Sequence, residues 1–194
     1  MRAWIEMISP DVADGKLAKL YEKARTPAGT VDNVMQAHSL RPHTLDGHVA
    51  LYRAVLHHPD NTLPGWFLEA VGSYTSILNG CDYSLTHHRH NARALLGGGE
   101  TGDAALAALD NREPEKVFEG KYLALLQYVE KLTLSPAAIA REDVEGLRAS
   151  GASDGEILET NQVCGYFNYV NRHLNGLGVS TEGDKIGYYD EPGS

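Results

Sequence analysis

The chain has 194 residues, 42% of them hydrophobic, which suits one compact domain with a substantial core. Its formal net charge of −9 argues against a nucleic-acid surface, which is ordinarily basic. No segment approaches the ~18 consecutive apolar residues of a membrane span, and no apolar signal-peptide core is visible near the start. Two cysteines exclude a secreted disulfide framework, so we expect a cytoplasmic protein with neither nucleic acid nor membrane as partner.

Apolar residues recur at helical spacing along most of the chain, and no run of strand length alternates. Ser9 is the expected N-cap of the first helix, and Ser153 with Glu156 forms a capping box before the last. From Gly176 the chain reads as loop or partly disordered. The sequence therefore predicts an all-α fold. The expected helices are 10–24, 31–40, 42–57, 66–78, 82–96, 104–109, 117–132, 141–150 and 153–174.

The chain is organised around two of these helices, which an Asn-Gly turn at 79–80 joins and should make antiparallel. Cys81 should fall in the first turn of the second helix, with Ser84 and His88 on the same face. At about 1.5 Å per residue, Glu69 lies roughly 16 Å before the turn and His88 roughly 12 Å after it, so their side chains can meet. A carboxylate–imidazole–thiol arrangement lowers the pKa of a thiol and activates it as a nucleophile.

Each of these residues also has a purely structural interpretation. Cys81 alone is more often a small buried hydrophobe than a nucleophile. Ser84 is either a helix-surface hydroxyl or a hydrogen-bond partner of His88, and we favour the bond. Glu69 can be a solvated charge, although an acid within an apolar helix stripe favours a partner. Cys164, next to a glycine in the last helix, is expected to be core packing.

A histidine cluster at the second helix raises the question of a metal. His87, His88 and His90 point in three directions on a helix, and no pair among them has the i,i+4 spacing of helix-borne ligands. We therefore expect no metal and no other cofactor.

The motif Glu69-x11-Cys81-x2-Ser84-x3-His88 resembles the signature of the AhpD-like alkylhydroperoxidases, within the carboxymuconolactone decarboxylase superfamily. Their pattern is Glu, Cys-x-x-Cys and His at the same intervals. Residues 122–179, above all the run from YFNYVNR to GLGV, look like the C-terminal half of the peroxidase-related branch. The resemblance implies an AhpD-like helical bundle over residues 1–179, with the Cys-x-x-Ser-x3-His motif on a central helix hairpin and a tail over 180–194.

The resemblance further implies a peroxidase-like thiol oxidoreductase that reduces a small-molecule hydroperoxide and is regenerated by an external thiol. It also implies a homo-oligomer, either dimer, trimer or hexamer. The sequence departs from the family at Ser84, where the second motif cysteine would stand. Serine forms no disulfide, so the two-cysteine cycle cannot run within this motif. Cys81 can act alone through a sulfenic acid, and Cys164 can resolve it only if the two α-carbons lie within roughly 7 Å.

Three functions follow from these observations. The first is a peroxidase-like enzyme using Cys81, with His88 as base and Glu69 orienting it. The second is an enzyme of the decarboxylase or isomerase type, in which Glu69 and His88 transfer protons and Cys81 is incidental. The third is a non-catalytic oligomeric protein with a degenerate site, which the substitution at Ser84 permits.

Overall fold

The protein is described over residues 1–189 by a computed structural model. This part of the chain contains nine α-helices, two short 3₁₀ segments and no strand, so the predicted all-α class is confirmed. The helices are α1 Gly15–Lys23, α2 Asn33–Gln36, α3 Pro42–Leu56, α4 Gly65–Leu78, α5 Asp82–Leu95, α6 Gly99–Asp110, α7 Gly120–Leu134, α8 Arg141–Ala149 and α9 Asp154–Leu177. The 3₁₀ segments are Pro114–Lys116 and Pro136–Ala138.

The start of the first helix differs from the prediction. The sequence indicated a helix from residue 10 with Ser9 as its N-cap, but α1 begins at Gly15 and its N-cap is Asp14. The intervening residues form a turn, in which the amide of Val12 donates to the carbonyl of Ser9. Asp14 has extended backbone angles, and its carbonyl accepts the first helical hydrogen bond, from the amide of Ala18 at 3.1 Å.

The last helix begins as predicted and ends later. The Ser153 hydroxyl accepts from the Glu156 amide at 3.2 Å, and the Glu156 carboxylate accepts from the Ser153 amide at 2.9 Å. This reciprocal pair is the expected capping box. The helix continues beyond the predicted end at 174 to Leu177, where Gly178 adopts a left-handed conformation with φ of 60°. Such a residue favours glycine and ends a helix by redirecting the chain.

Helices α4 and α5 form the central hairpin, and α7 and α9 pack against α4. Every residue of α4 from 67 to 76 is buried, including the hydroxyls of Ser73, Thr75 and Ser76. Each of these hydroxyls donates at 2.8 Å to the carbonyl four residues earlier, so none is left without a hydrogen bond. A helix covered on all sides carries Glu69 into the interior of the protein.

Three histidine rings pack together where α3, α9 and the residues after α2 meet, with His173 stacked on His38 and His48 tilted against it. The ring centroids of His38 and His173 are 4.4 Å apart, and those of His38 and His48 are 4.8 Å apart. One ring nitrogen of each histidine is buried without a hydrogen-bond partner in the described part of the chain. Burial, reinforced by the neighbouring imidazoles, lowers the pKa of His38 to about 3, and burial with His173 lowers that of His48 to about 4. The cluster is therefore neutral at physiological pH.

This cluster predicts a loss of stability in mild acid. A histidine whose pKa is lowered by folding contributes full stability above its unfolded pKa of about 6.5 and loses it as the pH falls below that value. For His38 and His48 together, the free energy of unfolding should drop by about 2 to 3 kcal/mol between pH 7.5 and 5.5. Urea unfolding at both pH values measures the drop. His38→Asn should remove about half of it, whereas replacing the exposed His43 with Gln should leave it unchanged. An equal drop in both variants would contradict this account.

Candidate active site

A buried carboxylate–imidazole pair forms the centre of the candidate site. Oε2 of Glu69 on α4 lies 2.6 Å from Nδ1 of His88 on α5, and the two side chains are 3% and 12% exposed. Since a carboxylate only accepts, Nδ1 donates this hydrogen bond and Nε2 is the ring nitrogen that Glu69 leaves unengaged. The aromatic ring of Phe167 meets His88 edge to face, with centroids 4.6 Å apart, and limits its movement. The structure thus brings together the two residues that the hairpin spacing paired.

The second oxygen of Glu69 is held by a residue that the sequence analysis did not single out. Nδ2 of Asn91 donates to Oε1 of Glu69 at 3.2 Å, and Oδ1 of Asn91 accepts from the amide of Tyr188 at 2.8 Å. Both oxygens of the Glu69 carboxylate therefore accept a hydrogen bond. The bond from Asn91 holds the carboxylate in place, and the carboxylate in turn orients the His88 ring. Asn91 follows His88 at i+3 on α5, a spacing that places it on the same helix face.

Cys81 lies just before α5 and not in its first turn. It is the N-cap residue, its amide donates to the carbonyl of Ser76 at 2.9 Å, and its residue exposure is 1%. Ser84 is also buried, but no hydrogen bond joins its hydroxyl to His88 among residues 1–189, so the bond that we favoured is absent. Cys81 packs with the main apolar core.

A small cavity of about 30 Å³ lies beside this pair. Space of this size holds one or two waters, or a molecule as small as hydrogen peroxide. Ser84 and His88 line the cavity, and Cys81 does not. The other polar residues at its wall are Asp32, Tyr52, Tyr83, His87, Asn91, Tyr166 and Tyr188.

The segment 180–189, which the sequence indicated to be loop or partly disordered, packs over the site. Asp184 accepts from the hydroxyl of Tyr83 at 2.5 Å and from the amide of Asn33 at 3.0 and 3.1 Å. Nε2 of His87 lies 3.6 Å from the same carboxylate. Residues 190–194 of the expected tail lie outside the described residues. The described part of the tail is a wall of the site, held by contacts to α2 and α5.

Tyr188 and Asp32 complete this wall and were missed by the sequence analysis. The hydroxyl of Tyr188 donates to Oδ2 of Asp32 at 2.5 Å, across 156 residues of sequence. Burial, opposed by the hydrogen bond from Tyr188, raises the pKa of Asp32. The one available signal was a pair of tyrosines at 188 and 189 within an otherwise polar tail, which is unusual for a solvated segment.

The second cysteine is core packing, as predicted. Cys164 is fully buried, its sulfur lies 3.3 Å from the hydroxyl of Thr133, and burial raises the pKa of its thiol. The two cysteines are not bonded to each other. Within residues 1–189, no group of three metal-binding side chains is arranged to hold an ion. None of the described helices is both long and apolar enough to cross a membrane.

No protein-family profile and no curated protein matches the chain. Solved structures do match it. A peroxidase-related protein from Silicibacter sp. TM1040 superimposes with a TM-score of 0.81 and 23% identity, covering 98% of this chain and 95% of its own. A peroxidase-related protein from Ralstonia eutropha JMP134, described as an alkylhydroperoxidase AhpD core, gives a TM-score of 0.81 and 19% identity, with 93% of each chain covered.

A third similar structure is that of a debrominase. The debrominase Bmp8, as a cysteine-to-alanine variant in complex with 2,3,4-tribromopyrrole, gives a TM-score of 0.69 and 15% identity over 94% of each chain. At these identities the likeness establishes the fold. The chain has the AhpD-like helical fold of the peroxidase-related proteins, and the resemblance expected from the motif is confirmed at that level.

Proposed function

We propose that the protein is a one-cysteine thiol peroxidase in which Cys81 is the nucleophile, His88 the base and Glu69 the group that orients it. The observation that carries this proposal is the 2.6 Å bond between Glu69 and His88, which presents a basic nitrogen beside a cavity the size of a small oxidant. The peroxidase-related proteins of the same fold support it.

The proposed chemistry is a two-electron oxidation of sulfur. The Cys81 thiolate attacks the distal oxygen of a hydroperoxide, the S–O bond forms as the O–O bond breaks, and the alkoxide leaves as the alcohol with a proton that His88 returns by way of the Ser84 hydroxyl. An external thiol then attacks the Cys81 sulfenic acid, releasing water and forming a mixed disulfide. A second external thiol frees Cys81 and leaves as the reductant's disulfide.

The helix spacing defines how the proton must travel in this proposal. Cys81 and His88 are seven residues apart, which is roughly 10 Å along the helix axis, too far for direct transfer between side chains. Ser84 lies between them and borders the same cavity as His88. We infer that the Ser84 hydroxyl and a water in the cavity carry the proton from Cys81 to His88.

A turnover assay tests this proposal. Consumption of hydrogen peroxide with a dithiol reductant should fall to the uncatalysed background in Cys81→Ala, because no other thiol is placed to react. Cys164→Ala is the matched control and should keep its turnover within about twofold, provided it folds, since burial raises the pKa of the Cys164 thiol and, among residues 1–189, no hydrogen bond joins it to Glu69 or His88. Full turnover in Cys81→Ala, or loss only in Cys164→Ala, would contradict the proposal.

A second candidate function has its own support. Ser84 and His88 border the cavity while Cys81 does not, which suits proton transfer by the Glu69–His88 pair with no covalent step. The debrominase of similar fold supports a different reaction on this scaffold. This candidate predicts that carbon-bound hydrogen of a substrate exchanges with D2O in Cys81→Ala and not in His88→Asn, whereas the thiol peroxidase predicts no such exchange.

The external thiol, the homo-oligomeric state and the cytoplasmic location are carried over from the resemblance and composition, and they remain part of this proposal.

A further inference from the structure

Two cavities meet at the C-terminal segment. The inner cavity of about 30 Å³ contains Ser84 and His88, and an outer cleft of about 360 Å³ opens beyond it. Met35, Tyr52 and Tyr188 line both, so these three side chains are a common wall. The outer cleft lies at the lower end of the range for small-molecule sites, about 300–1,000 Å³.

The inner cavity is lined by polar groups with unused hydrogen-bonding capacity. Asp32 is only 2% exposed, and its Oδ1 atom has no hydrogen-bond partner among residues 1–189. The hydroxyl of Tyr52 is buried too, and it approaches the Tyr188 hydroxyl without completing a hydrogen bond. Buried polar atoms without partners are rare in proteins because each costs about 1–3 kcal/mol. Such atoms at a cavity wall are available to a ligand.

The charged side chains of residues 1–189 that line the outer cleft are both arginines. Its lining includes Arg25 and Arg53 and, within the described chain, no carboxylate. Arg25 is paired with Glu22 outside the cleft. Arg53 donates to the carbonyl of Lys23 and has no carboxylate of residues 1–189 within ion-pair distance. Its charge is therefore open to a ligand, while Val49, Met35 and the tyrosine rings offer apolar surface.

We propose that the outer cleft binds an anionic organic substrate whose charge pairs with Arg53, and that Tyr188 is the gate its reactive end must displace to reach Ser84 and His88. The inference rests on the proposed function, since it names the substrate class of the same site. Tyr188 suits a gate because its position depends on a few hydrogen bonds, from its amide to Asn91 and from its hydroxyl to Asp32.

A reporter thiol inside the inner cavity tests the gate and the charge without any peroxide turnover. The Ser84→Cys variant, made with Cys81→Ala, places one accessible sulfur at the cavity. Its alkylation by iodoacetate, an anion, and by iodoacetamide, a neutral analogue of similar size, is followed by mass spectrometry. Tyr188→Ala should accelerate both reagents at least about tenfold, and Tyr188→Phe, which keeps the ring, should do so far less. Arg53→Gln should lower the iodoacetate-to-iodoacetamide rate ratio about tenfold.

The matched control for charge is Arg41→Gln, because Arg41 is exposed and lies outside the cleft. It should leave the ratio unchanged. If Tyr188→Ala left the alkylation rates of the reporter protein unchanged, the role of Tyr188 as a gate would be overturned. If Arg53→Gln left the iodoacetate-to-iodoacetamide rate ratio unchanged, the proposed preference for an anion would be overturned.

A binding measurement on the unmodified protein covers the case in which the Ser84→Cys variant does not fold. Isothermal titration with 2-naphthoate should show binding that Arg53→Gln weakens about tenfold, while neutral 2-naphthamide binds both proteins equally. No binding of 2-naphthoate at millimolar concentration would overturn the proposal. Binding of 2-naphthoate without any peroxide turnover would support the anion site and contradict the peroxidase function. Failure of the anion site and failure of the peroxidase function are therefore distinguishable.

Discussion

Replacing His88 with Asn should reduce turnover by a factor of about 10² to 10⁴, the usual contribution of a general base. Asparagine places an amide nitrogen near the position of Nδ1, so the bond to Glu69 is retained and the buried carboxylate keeps a donor. Only the basic Nε2 is lost. The measurement is the initial rate of hydroperoxide consumption, together with a urea unfolding curve that confirms the fold.

The control for this variant is His43→Gln, which changes an exposed histidine on α3 and should keep the rate within about twofold. Retained turnover in His88→Asn would contradict the assignment of His88 as base. If Cys81→Ala in turn removed turnover, the thiol would be reacting without help from the Glu69–His88 pair.

Replacing Gly72 with Ala should destabilise the protein by about 1 to 3 kcal/mol, the usual cost of overpacking a core. A Cβ at this position on α4 would lie 2.4 Å from Cε2 of Phe167, a ring that is fully buried. The ring cannot step aside freely, because it packs edge to face against both His88 and Tyr166. The free energy of unfolding in urea measures the change, and turnover should also fall because the ring is displaced against His88.

Gly165 on α9 offers a matched control. It is also a glycine within a helix, but nothing lies within 4 Å of the Cβ that alanine would add. Alanine there should stabilise the protein by about 0.5 to 1 kcal/mol, through its higher helix propensity. Stabilisation by both substitutions would show that the approach of Phe167 to Gly72 does not constrain the site.

The central hairpin was predictable because its determinants are local. The helical repeat on either side of the turn at 79–80 fixes the two axes, and the residue counts to Glu69 and His88 then place the two residues close enough for their side chains to meet. The capping box at Ser153 was equally local. Helix periodicity and helix caps depend on residues within one short segment, so they can be predicted from the sequence of that segment alone.

The outer half of the site was not predictable in this way. The bond from Tyr188 to Asp32 joins residues 156 apart, and each lies in irregular chain with no repeat to register it. Their meeting depends on the packing of α2, α5 and the C-terminal segment. The absence of a bond from Ser84 to His88 has a similar origin, since i,i+4 spacing puts both on one face but does not fix where each side chain points.

The most direct test of the account is whether Cys81 becomes a sulfenic acid. The protein is treated with one equivalent of hydrogen peroxide in the presence of dimedone, and the peptides that contain Cys81 and Cys164 are analysed by mass spectrometry. The account predicts a dimedone adduct on Cys81 and none on Cys164, because Cys81 is the N-cap of the helix that carries Ser84 and His88, whereas burial raises the pKa of the Cys164 thiol. An unmodified Cys81 under these conditions would contradict thiol peroxidase chemistry at this site.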